Sequence, residues 1–537
     1  MAFIPPAISC EIGKRIYSLM LDLVAIPSVT VSDDGEEACA RFIFDWLSRF
    51  EYFKRNPEDL WFTPLKNDPL GRHFIGALLR SARPSKKTVI LTGHFDVVDV
   101  DVCGSLRDWA FDPTEYTARL GELHLPEDVR SDLESGDYIF GRGVSDMKTG
   151  LALAMCLFED YAASSEELDF NVLLLAVPDE EGDSAGMREA ASFLAGLQEK
   201  EGLDFLVGIS LEPVFNIGLP AVYYGTIGMS TLLYLCVGIE SHVGEYYHGL
   251  NSTLVASYLN ISLEGRRDTM ETFANQTFPP QCCLHMRDTR ERYAVTLPER
   301  SALYYNYLTV EKTPAAIIEE MKTKAMSALK AALSHVGLDD LEARVLTVKE
   351  VIDKASLRAG KEKLFSELPR QEMDERDKNI EFLLRALDIA EEKGPLVVVG
   401  FVPPFYPPRV NRGVSGRELA VRHAASVAGE GLKRGGFDFS EIEVFQGITD
   451  MSYTGFQGEA AELDALAENL PLWGRGYDLP LADLRKIDIP CVIFGPLGKD
   501  AHKYTERVEL NYSFNVLPSV LKDFVTSILE QTANSCQ

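Results

Sequence analysis

The residues of this chain that could carry chemistry are two histidines and a group of carboxylates, each placed at or after an apolar segment. They are His94 and Asp96 in "GHFD", Asp146 in "GRGVSDMKTG", Glu180 and Glu181 in "PDEEGDSAG", Glu212 in "SLEP", and His502 in "KDAHKYTE". Imidazole nitrogens and carboxylate oxygens are ligands of zinc, and also of cobalt and manganese. The set therefore predicts two divalent metal ions, most naturally zinc.

The adjacent pair Glu180 and Glu181 allows one carboxylate to bind metal while the other stays free as a base. Amide hydrolysis needs a base beside a water whose pKa a metal has lowered. Five ligands serve two metals only if one carboxylate bridges them, and Asp146, in its tight glycine-rich loop, is the best bridging candidate. Taken singly, His94 and His502 read as ordinary loop histidines, and Asp146 reads as a helix N-cap.

These residues follow segments that must bring them together. The apolar runs at 88–93, 170–177 and 205–211 read as buried strands, and they alternate with helical patterns at 146–162 and 184–198. Such alternation predicts a largely parallel sheet covered by helices on both faces. Ligands bind at the carboxyl ends of the strands in open α/β sheets. The candidate histidines and carboxylates lie at those ends or in loops on that side of the sheet.

The pattern changes to a β-rich run near residue 222, which predicts an inserted α+β domain. Parallel-type strands are predicted to resume at 395–402 and 490–496 and to rejoin the first sheet. The charged helical stretch at 346–394 is assignable to neither domain from its pattern. The predicted organisation is a discontinuous metal-binding catalytic domain, 1–222 and 346–537, and a smaller lid domain, 223–345.

Composition narrows the class of protein. The 537 residues carry a formal net charge of −29, which argues against nucleic acid and against anionic membrane surfaces as partners. No apolar run approaches the roughly 18–20 residues that span a bilayer, and no signal peptide pattern opens the chain. The nine cysteines include no CxxC motif, which favours reduced thiols in a cytoplasmic protein.

The motifs "GHFD", "GRGVSDMKTG", "DEEG" and "AHKYTE", in this order, resemble those of the M20 family of dinuclear zinc amidohydrolases and peptidases. The segments "NPEDLWF", "FDPTEY" and "GKDAHKYTERV" are similar to the RocB-type, arginine-utilisation branch of that family. The resemblance implies a doubly wound mixed-sheet catalytic domain of the phosphorylase/hydrolase-like class with an inserted ferredoxin-like lid. It also implies a homodimer formed through the lid domain.

The resemblance assigns a role to each candidate residue. His94, Asp146 and Glu212 would hold one metal, and Asp146, Glu181 and His502 the other. Glu180 would be the general base. Asp96 would hydrogen-bond the imidazole of His94 and fix its tautomer. The family also often has a cis peptide bond after the bridging aspartate, here Asp146–Met147.

Further residues are implied for substrate binding. In the lid, "GIESHVGEYYHGLNS" resembles the family segment whose histidine stabilises the tetrahedral oxyanion, here His242, and Asn251 matches the same segment. "GITDMSY" resembles a loop that lines the site and makes Asp450 a candidate. Gly495 and Gly498 of "GPLG" would form a backbone-lined wall beside the substrate.

The function that follows is a metal-dependent hydrolase of amide bonds in a short peptide or an N-acylated amino acid, with a link to arginine catabolism implied by the branch. A ureido or carbamoyl hydrolase would share the same metal site. A non-catalytic binding or regulatory protein on the same scaffold is the alternative from another class. A dinucleotide site is disfavoured because "GRGVSD" lacks the third glycine, and a serine hydrolase because no GxSxG motif occurs.

Overall fold

The computed structural model describes residues 4–30, 34–215, 217–290, 292–366 and 373–534. These residues form two compact units. The first unit comprises Met1–Thr226, Arg409–Phe456 and Pro480–Gln537, and the second comprises Ile227–Pro408 and Gln457–Leu479.

Helices and strands alternate along most of the chain. The α-helices are α1 (Glu11–Val24), α2 (Gly35–Ser48), α3 (Glu51–Arg55), α4 (Pro113–Leu120), α5 (Glu127–Ser135), α6 (Lys148–Ala163), α7 (Ala185–Glu201), α8 (Ser252–Leu263), α9 (Pro314–His335), α10 (Val348–Ala359), α11 (Lys361–Leu364), α12 (Glu375–Ala390), α13 (Gly416–Arg434), α14 (Ala460–Asn469), α15 (Leu481–Ile487) and α16 (Leu517–Asn534). The strands are β1 (Leu60–Pro64), β2 (His73–Leu79), β3 (Lys87–His94), β4 (Tyr138–Phe140), β5 (Asn171–Val177), β6 (Asp204–Ser210), β7 (Val214–Phe215), β8 (Ala221–Tyr223), β9 (Gly225–Thr226), β10 (Gly228–Val237), β11 (Thr272–Phe273), β12 (Gln276–Thr277), β13 (Cys282–Asp288), β14 (Arg300–Thr309), β15 (Arg344–Thr347), β16 (Leu396–Tyr406), β17 (Arg409–Val410), β18 (Ser440–Ile442), β19 (Cys491–Ile493), β20 (Leu497–Lys499) and β21 (Arg507–Glu509).

The first unit is built on an eight-stranded mixed sheet in the order β1-β2-β5-β3-β6-β19-β8-β18. Its centre, β5-β3-β6-β19, is parallel, while β1 and β2 add to one side in antiparallel fashion. Helices α1, α6, α13 and α16 share one hydrophobic cluster with alternate strand residues such as Leu91 and Leu174. Ile90 and Leu173 are equally buried but lie outside that cluster, on the opposite face, because successive side chains of a strand point to opposite sides.

A smaller four-stranded sheet, β4-β21-β20-β7, also belongs to the first unit. Its strands border three of the predicted ligand loops. Asp146 follows β4, Glu212 precedes β7, and His502 lies between β20 and β21. Antiparallel pairing of β21 with both β4 and β20 thus ties the Asp146 loop to the His502 loop.

The second unit contains a five-stranded sheet in the order β13-β14-β10-β16-β15. Helices α8 and α9 pack on each other, as do α10 and α12. A separate hydrophobic cluster joins α10 and α12 to β10 and β16. The α/β class with a smaller α+β unit agrees with the predicted fold.

The predicted domain boundary at residue 345 differs from the structure. The run at 395–402 does not rejoin the parallel sheet, because β16 pairs antiparallel with β10 in the second unit. Residues 346–408 and 457–479 therefore belong with the second unit. Every residue of β16 is buried, so its composition is that of a strand covered on both faces in either kind of sheet. The run at 490–496 behaves as predicted, since β19 pairs parallel with β6.

Candidate metal and catalytic site

Three neighbouring parallel strands bring the first ligands to one edge of the sheet. His94 is the last residue of β3 and lies opposite Val177 of β5, while Thr92 lies opposite Ser210 of β6. The loops that carry Glu180, Glu181 and Glu212 therefore begin beside His94. The sequence pattern predicted this clustering from strand ends alone.

Asp146 lies between the two histidines. Its Oδ1 is 3.2 Å from His94 Nε2, and its Oδ2 is 3.3 Å from His502 Nε2. Glu212 Oε1 is 3.4 Å from His94 Nε2, and Glu181 Oε1 is 2.9 Å from His502 Nε2. The arrangement gives two trios of ligand atoms that share Asp146, and within each trio all atoms lie within 4.8 Å of one another. This donor set fits two divalent ions joined by a bridging carboxylate.

Glu180 lies beside these trios. Its Oε2 is 3.9 Å from His94 Nε2, farther than the corresponding atoms of Asp146 and Glu212. It also forms a third group of close ligand atoms with His94 and Glu181. Glu180 is therefore near the cluster without belonging to either of the two trios that share Asp146.

Asp96 contacts both the histidine and the glutamate turn. Its backbone carbonyl lies 3.0 Å from His94 Nδ1, while its carboxylate Oδ1 is 3.4 Å from the same nitrogen. The carboxylate also accepts hydrogen bonds from the backbone N–H groups of Glu180 (3.1 Å) and Glu181 (3.0 Å), and from the hydroxyl of Thr30. Asp96 thus orients two adjacent glutamates, a contact that the HxD spacing does not reveal.

Glu506 and Arg142 support the Asp146 loop and were not singled out from the sequence. Glu506 Oε1 accepts the backbone N–H groups of Ser145 (3.1 Å) and Asp146 (3.3 Å). Its other oxygen pairs with Arg142 Nη1, and Arg142 Nη2 donates to the carbonyl of His502 at 3.1 Å. Both residues stand inside the quoted motifs, as the Arg of "GRGVSD" and the Glu of "KYTE", which is the one signal that could have identified them.

The carboxylates of the cluster are crowded in a buried place. Burial, with repulsion from neighbouring carboxylates, raises the pKa of Glu180 and of Glu212 well above the usual range. Hydrogen bonds to Asp146 and Glu181 raise the pKa of His502 to about 10. Burial opposes ionisation of Asp146, yet hydrogen bonds from His502 and His94 hold its pKa below the usual value. Such a concentration of buried acids needs compensating positive charge, which bound cations supply.

Asp450 lies in the short helical turn Asp450–Thr454, within electrostatic reach of His94, Glu180 and Glu212. It is buried like His94, Asp146 and Glu212, with 6% of the residue exposed. The hydroxyl of Ser184 is its hydrogen-bonding neighbour, and no cationic side chain among the described residues is bonded to either carboxylate oxygen. Burial raises its pKa to about 7, although His94 and the hydroxyl of Ser184 oppose the rise.

Residues 90–526 match the model of peptidase family M20/M25/M40. The chain belongs to the M20 peptidase family. It is 33% identical to the uncharacterized protein YqjN of Bacillus subtilis, covering 97% of this chain and 98% of YqjN. It is 28% identical to protein RocB of the same organism, covering 96% and 95%.

Solved structures show the same fold. An M20 family metallo-carboxypeptidase from Sulfolobus solfataricus superposes with a TM-score of 0.54 at 13% identity, over 96% of this chain and 99% of that one. A tripeptidase from Staphylococcus aureus superposes with a TM-score of 0.51 at 14% identity, over 98% and 100%. The predictions of an M20 hydrolase acting on amide bonds and of a lid-bearing α/β fold are thus confirmed. No helix among the described residues is long and apolar enough to cross a membrane.

Three features expected from the M20 resemblance lie within the first unit. The peptide bond between Asp146 and Met147 is cis, as the resemblance implied. A Cβ atom at Gly495 would lie 2.2 Å from the carbonyl oxygen of Glu212, and one at Gly498 would lie 2.0 Å from Ser145 Oγ. Both glycines therefore permit close approach of the C-terminal segment to the loops of Glu212 and Asp146, a packing role that the sequence reading did not foresee.

The two lid residues expected from the M20 resemblance lie in the second unit. His242 is exposed, and its Nδ1 accepts the backbone N–H of Gly244 at 3.1 Å. Asn251 is the N-cap of α8, where its Oδ1 accepts the backbone N–H of Thr253 at 2.9 Å. Capping accounts for Asn251 in local terms, because an amide oxygen there satisfies an otherwise unpaired helix N–H.

Proposed function

We propose that this M20 protein hydrolyses amide bonds of short peptides or N-acylated amino acids with two bound divalent ions. The observation that carries the proposal is the placement of Asp146, whose two oxygens lie 3.2 Å and 3.3 Å from the ring nitrogens of His94 and His502. A bridging carboxylate of this kind is what five ligands require to serve two metals.

His94, Asp146 and Glu212 would hold one ion, and Asp146, Glu181 and His502 the other. Zinc is the proposed metal, with cobalt or manganese as substitutes, because the donors are imidazole nitrogens and carboxylate oxygens. When bound, the ions lower the pKa of a water molecule and polarise the scissile carbonyl.

Glu180 is the proposed general base. Its side chain, only 10% exposed, lies beside His94 and stays outside the two trios that share Asp146, so its carboxylate can take a proton from the attacking water and pass it to the leaving amine. Asp96 holds the backbone N–H groups of Glu180 and Glu181 and so fixes the direction of both side chains. His242 of the lid is the proposed donor to the developing oxyanion.

Asp450 is the proposed recognition residue for a positively charged substrate. A buried carboxylate that no cationic side chain neutralises is costly, and a cationic group of the substrate would relieve that cost. Similarity to RocB over nearly the full length favours a guanidinium-bearing substrate and a place in arginine catabolism. Gly495 and Gly498 would form a backbone-lined wall beside the substrate, and Asn251 is a proposed substrate-binding residue of the lid.

The second unit is the proposed lid and dimerisation domain. Strand β13 lies at the edge of its sheet, and Leu284 and Met286 on that strand are 54% and 41% exposed. An exposed apolar edge strand is suited to pairing with a second copy of the chain. A cytoplasmic location is proposed because the cysteines of the described residues are all free thiols; Cys536 lies outside the described residues.

The decisive experiment measures metal content and hydrolysis together for the wild type, Glu180→Gln, and the exposed control Glu11→Gln. We expect Glu180→Gln to bind two ions and to lose hydrolysis by at least about 100-fold, in line with loss of a general base. The control should match the wild type. A metal-loaded wild type that cleaves nothing in a broad panel of dipeptides and N-acylated amino acids would contradict the proposal.

The same panel separates the alternatives. N-carbamoyl amino acids should be included, since a ureido or carbamoyl hydrolase would cleave these and leave ordinary peptides intact. A binding or regulatory protein would retain metal and bind small molecules without turnover. The presence of Glu180 and of every proposed ligand favours catalysis over that role.

A further inference from the structure

The segment between β3 and β4 carries helices α4 and α5, whose side chains contact the loop that bears His502. The hydroxyl of Tyr116, on α4, donates to the backbone carbonyl of Tyr504 at 2.7 Å. On α5, Asp132 Oδ2 accepts from Lys499 Nζ and from Arg507 Nε, each at 2.7 Å. Lys499 and Arg507 are the residues at which the His502 loop leaves β20 and enters β21. Asp132 thus joins the two ends of this loop.

The backbone of the loop is in an unfavourable conformation. Asp500 and His502 have φ values of 57° and 69°, in the left-handed region that residues other than glycine seldom occupy. Such conformations persist only where the surroundings impose them, and they concentrate at functional sites. The His502 loop therefore depends on its contacts for its shape.

Arg507 provides two of these contacts and links them to α5. It is almost fully buried, and its Nη1 donates to Asp500 Oδ2 at 2.5 Å and to the carbonyl of Thr505 at 3.0 Å. Its Nε is bound to Asp132, so one guanidinium links α5 to the strained residue Asp500. Asp128 approaches the same guanidinium at 3.3 Å, but its side chain is 72% exposed, against 15% for Asp132.

Packing alone does not orient His502, because its side chain is half exposed. Its two partners in the proposed trio, Asp146 and Glu181, have side chains that are only 11% and 7% exposed. Apart from its contacts with Asp146 and Glu181, the direction of the His502 imidazole depends on the backbone of its loop.

We propose that Asp132 is a positioning residue for His502, acting through Lys499 and Arg507, so that the α4–α5 segment is part of the scaffold of the metal site. The inference rests on the proposed metal centre and not on the identity of the substrate. According to this proposal, α5 supports the trio of Asp146, Glu181 and His502 and does not affect the other trio.

The test uses zinc and a competing chelator, with no substrate, on the full chain. Asp132→Asn should lower the affinity for one of the two zinc ions by about 10–100-fold, which is the effect expected when a residue that supports a metal ligand is lost. Asp128→Asn is the matched control, since it removes a carboxylate from the same helix and the same arginine, and it should change neither affinity. Because the readout is metal binding, failure to find hydrolysis would count against the proposed function and leave this result intact.

A second comparison shows whether Asp132 acts through His502. The His502→Ala variant should keep only the ion held by His94, Asp146 and Glu212. That ion should bind with the same affinity whether or not Asp132→Asn is added. If Asp132→Asn binds both ions as the wild type does, or weakens the remaining ion in the His502→Ala background, the proposal is wrong. If Asp132→Asn does not fold, Lys499→Met decides the question, because it removes one contact of Asp132 and keeps Arg507 in place; unchanged affinity for both ions would again overturn the proposal.

Discussion

Arg142 and Glu506 form a buried ion pair, with 2.5 Å between Nη1 and Oε2, although 364 residues separate them in the sequence. The free oxygen of Glu506 accepts the backbone N–H of Asp146, and Arg142 donates to the carbonyl of His502. One pair therefore fixes the backbone on both sides of the proposed metal-binding trio that contains Asp146 and His502.

Replacing Glu506 by Gln should weaken metal binding and lower stability together. The substitution keeps the shape of the side chain and leaves Arg142 as a buried charge without its partner, a change that typically costs about 3–5 kcal/mol. We expect zinc affinity to fall by about tenfold or more and the denaturant midpoint to drop. Glu127→Gln, at an exposed position of α5, is the control. An unchanged zinc affinity would show that the Asp146 loop holds its shape without Glu506.

Asp96→Asn should impair catalysis more than fold stability. Asparagine retains one acceptor oxygen and presents an NH₂ group to one of the two backbone N–H groups that Asp96 now binds, so the turn of Glu180 and Glu181 loses a hydrogen bond. We expect kcat/KM to fall by roughly 10–100-fold. Asp99→Asn, three residues along the chain, should have wild-type kinetics. Wild-type kinetics for Asp96→Asn would remove the residue from the site.

Asp450→Asn should discriminate between charged and neutral substrates. N-acyl-arginine and N-acyl-citrulline are a suitable pair, because their side chains are nearly isosteric and differ in charge. A hydrogen bond to a charged group contributes about 1.5–3 kcal/mol, so kcat/KM for the arginine compound should fall by about 10–100-fold. The citrulline compound should be affected little. An equal loss for both compounds would indicate that Asp450 shapes the site and does not read charge.

Because of Glu36, we expect the free energy of unfolding to fall as the pH rises. Burial, with repulsion from Asp96, raises the pKa of Glu36 to about 8 from an ordinary 4.5, although Arg72 opposes the shift. Between these two pH values the folded state keeps a proton on Glu36 that the unfolded state has lost. The contribution of Glu36 to the free energy of unfolding is therefore fully present below pH 4.5 and is lost as the pH rises to about 8. Thermal unfolding at pH 6, 7.5 and 9 should show a steeper decline for the wild type than for Glu36→Gln. Parallel declines would contradict the assignment.

Local sequence patterns predicted the strand ends that carry the site. Val89–Leu91 and the runs before Glu180 and Glu212 are apolar on both faces, as expected of strands covered on both sides, and their alternation with helices indicates a parallel sheet. The polar residues that follow these strands are therefore expected to meet at the carboxyl-end edge of the sheet. The pairing of His94 with Glu212 and of His502 with Glu181 required the family motifs, because nothing local links residues hundreds of positions apart.

Other features were beyond local patterns. The run that became β16 has the composition of a parallel strand, and only its pairing with β10 shows that it belongs to the second unit. The contacts of Asp96 with the Glu180 turn, and of Asp132 with Arg507, are long-range hydrogen bonds between loops. Spacing in the sequence carries no information about such contacts.

The order of the ligands along the chain has a consequence for biosynthesis. His94, Asp146 and Glu212 all precede the second unit, whereas His502 comes near the C-terminus, after that unit has been made. A nascent chain on the ribosome therefore carries every proposed ligand of one trio long before it can complete the other. If both trios bind metal as proposed, the direction of translation imposes an order of maturation on the two positions, because the loop of His502 emerges last.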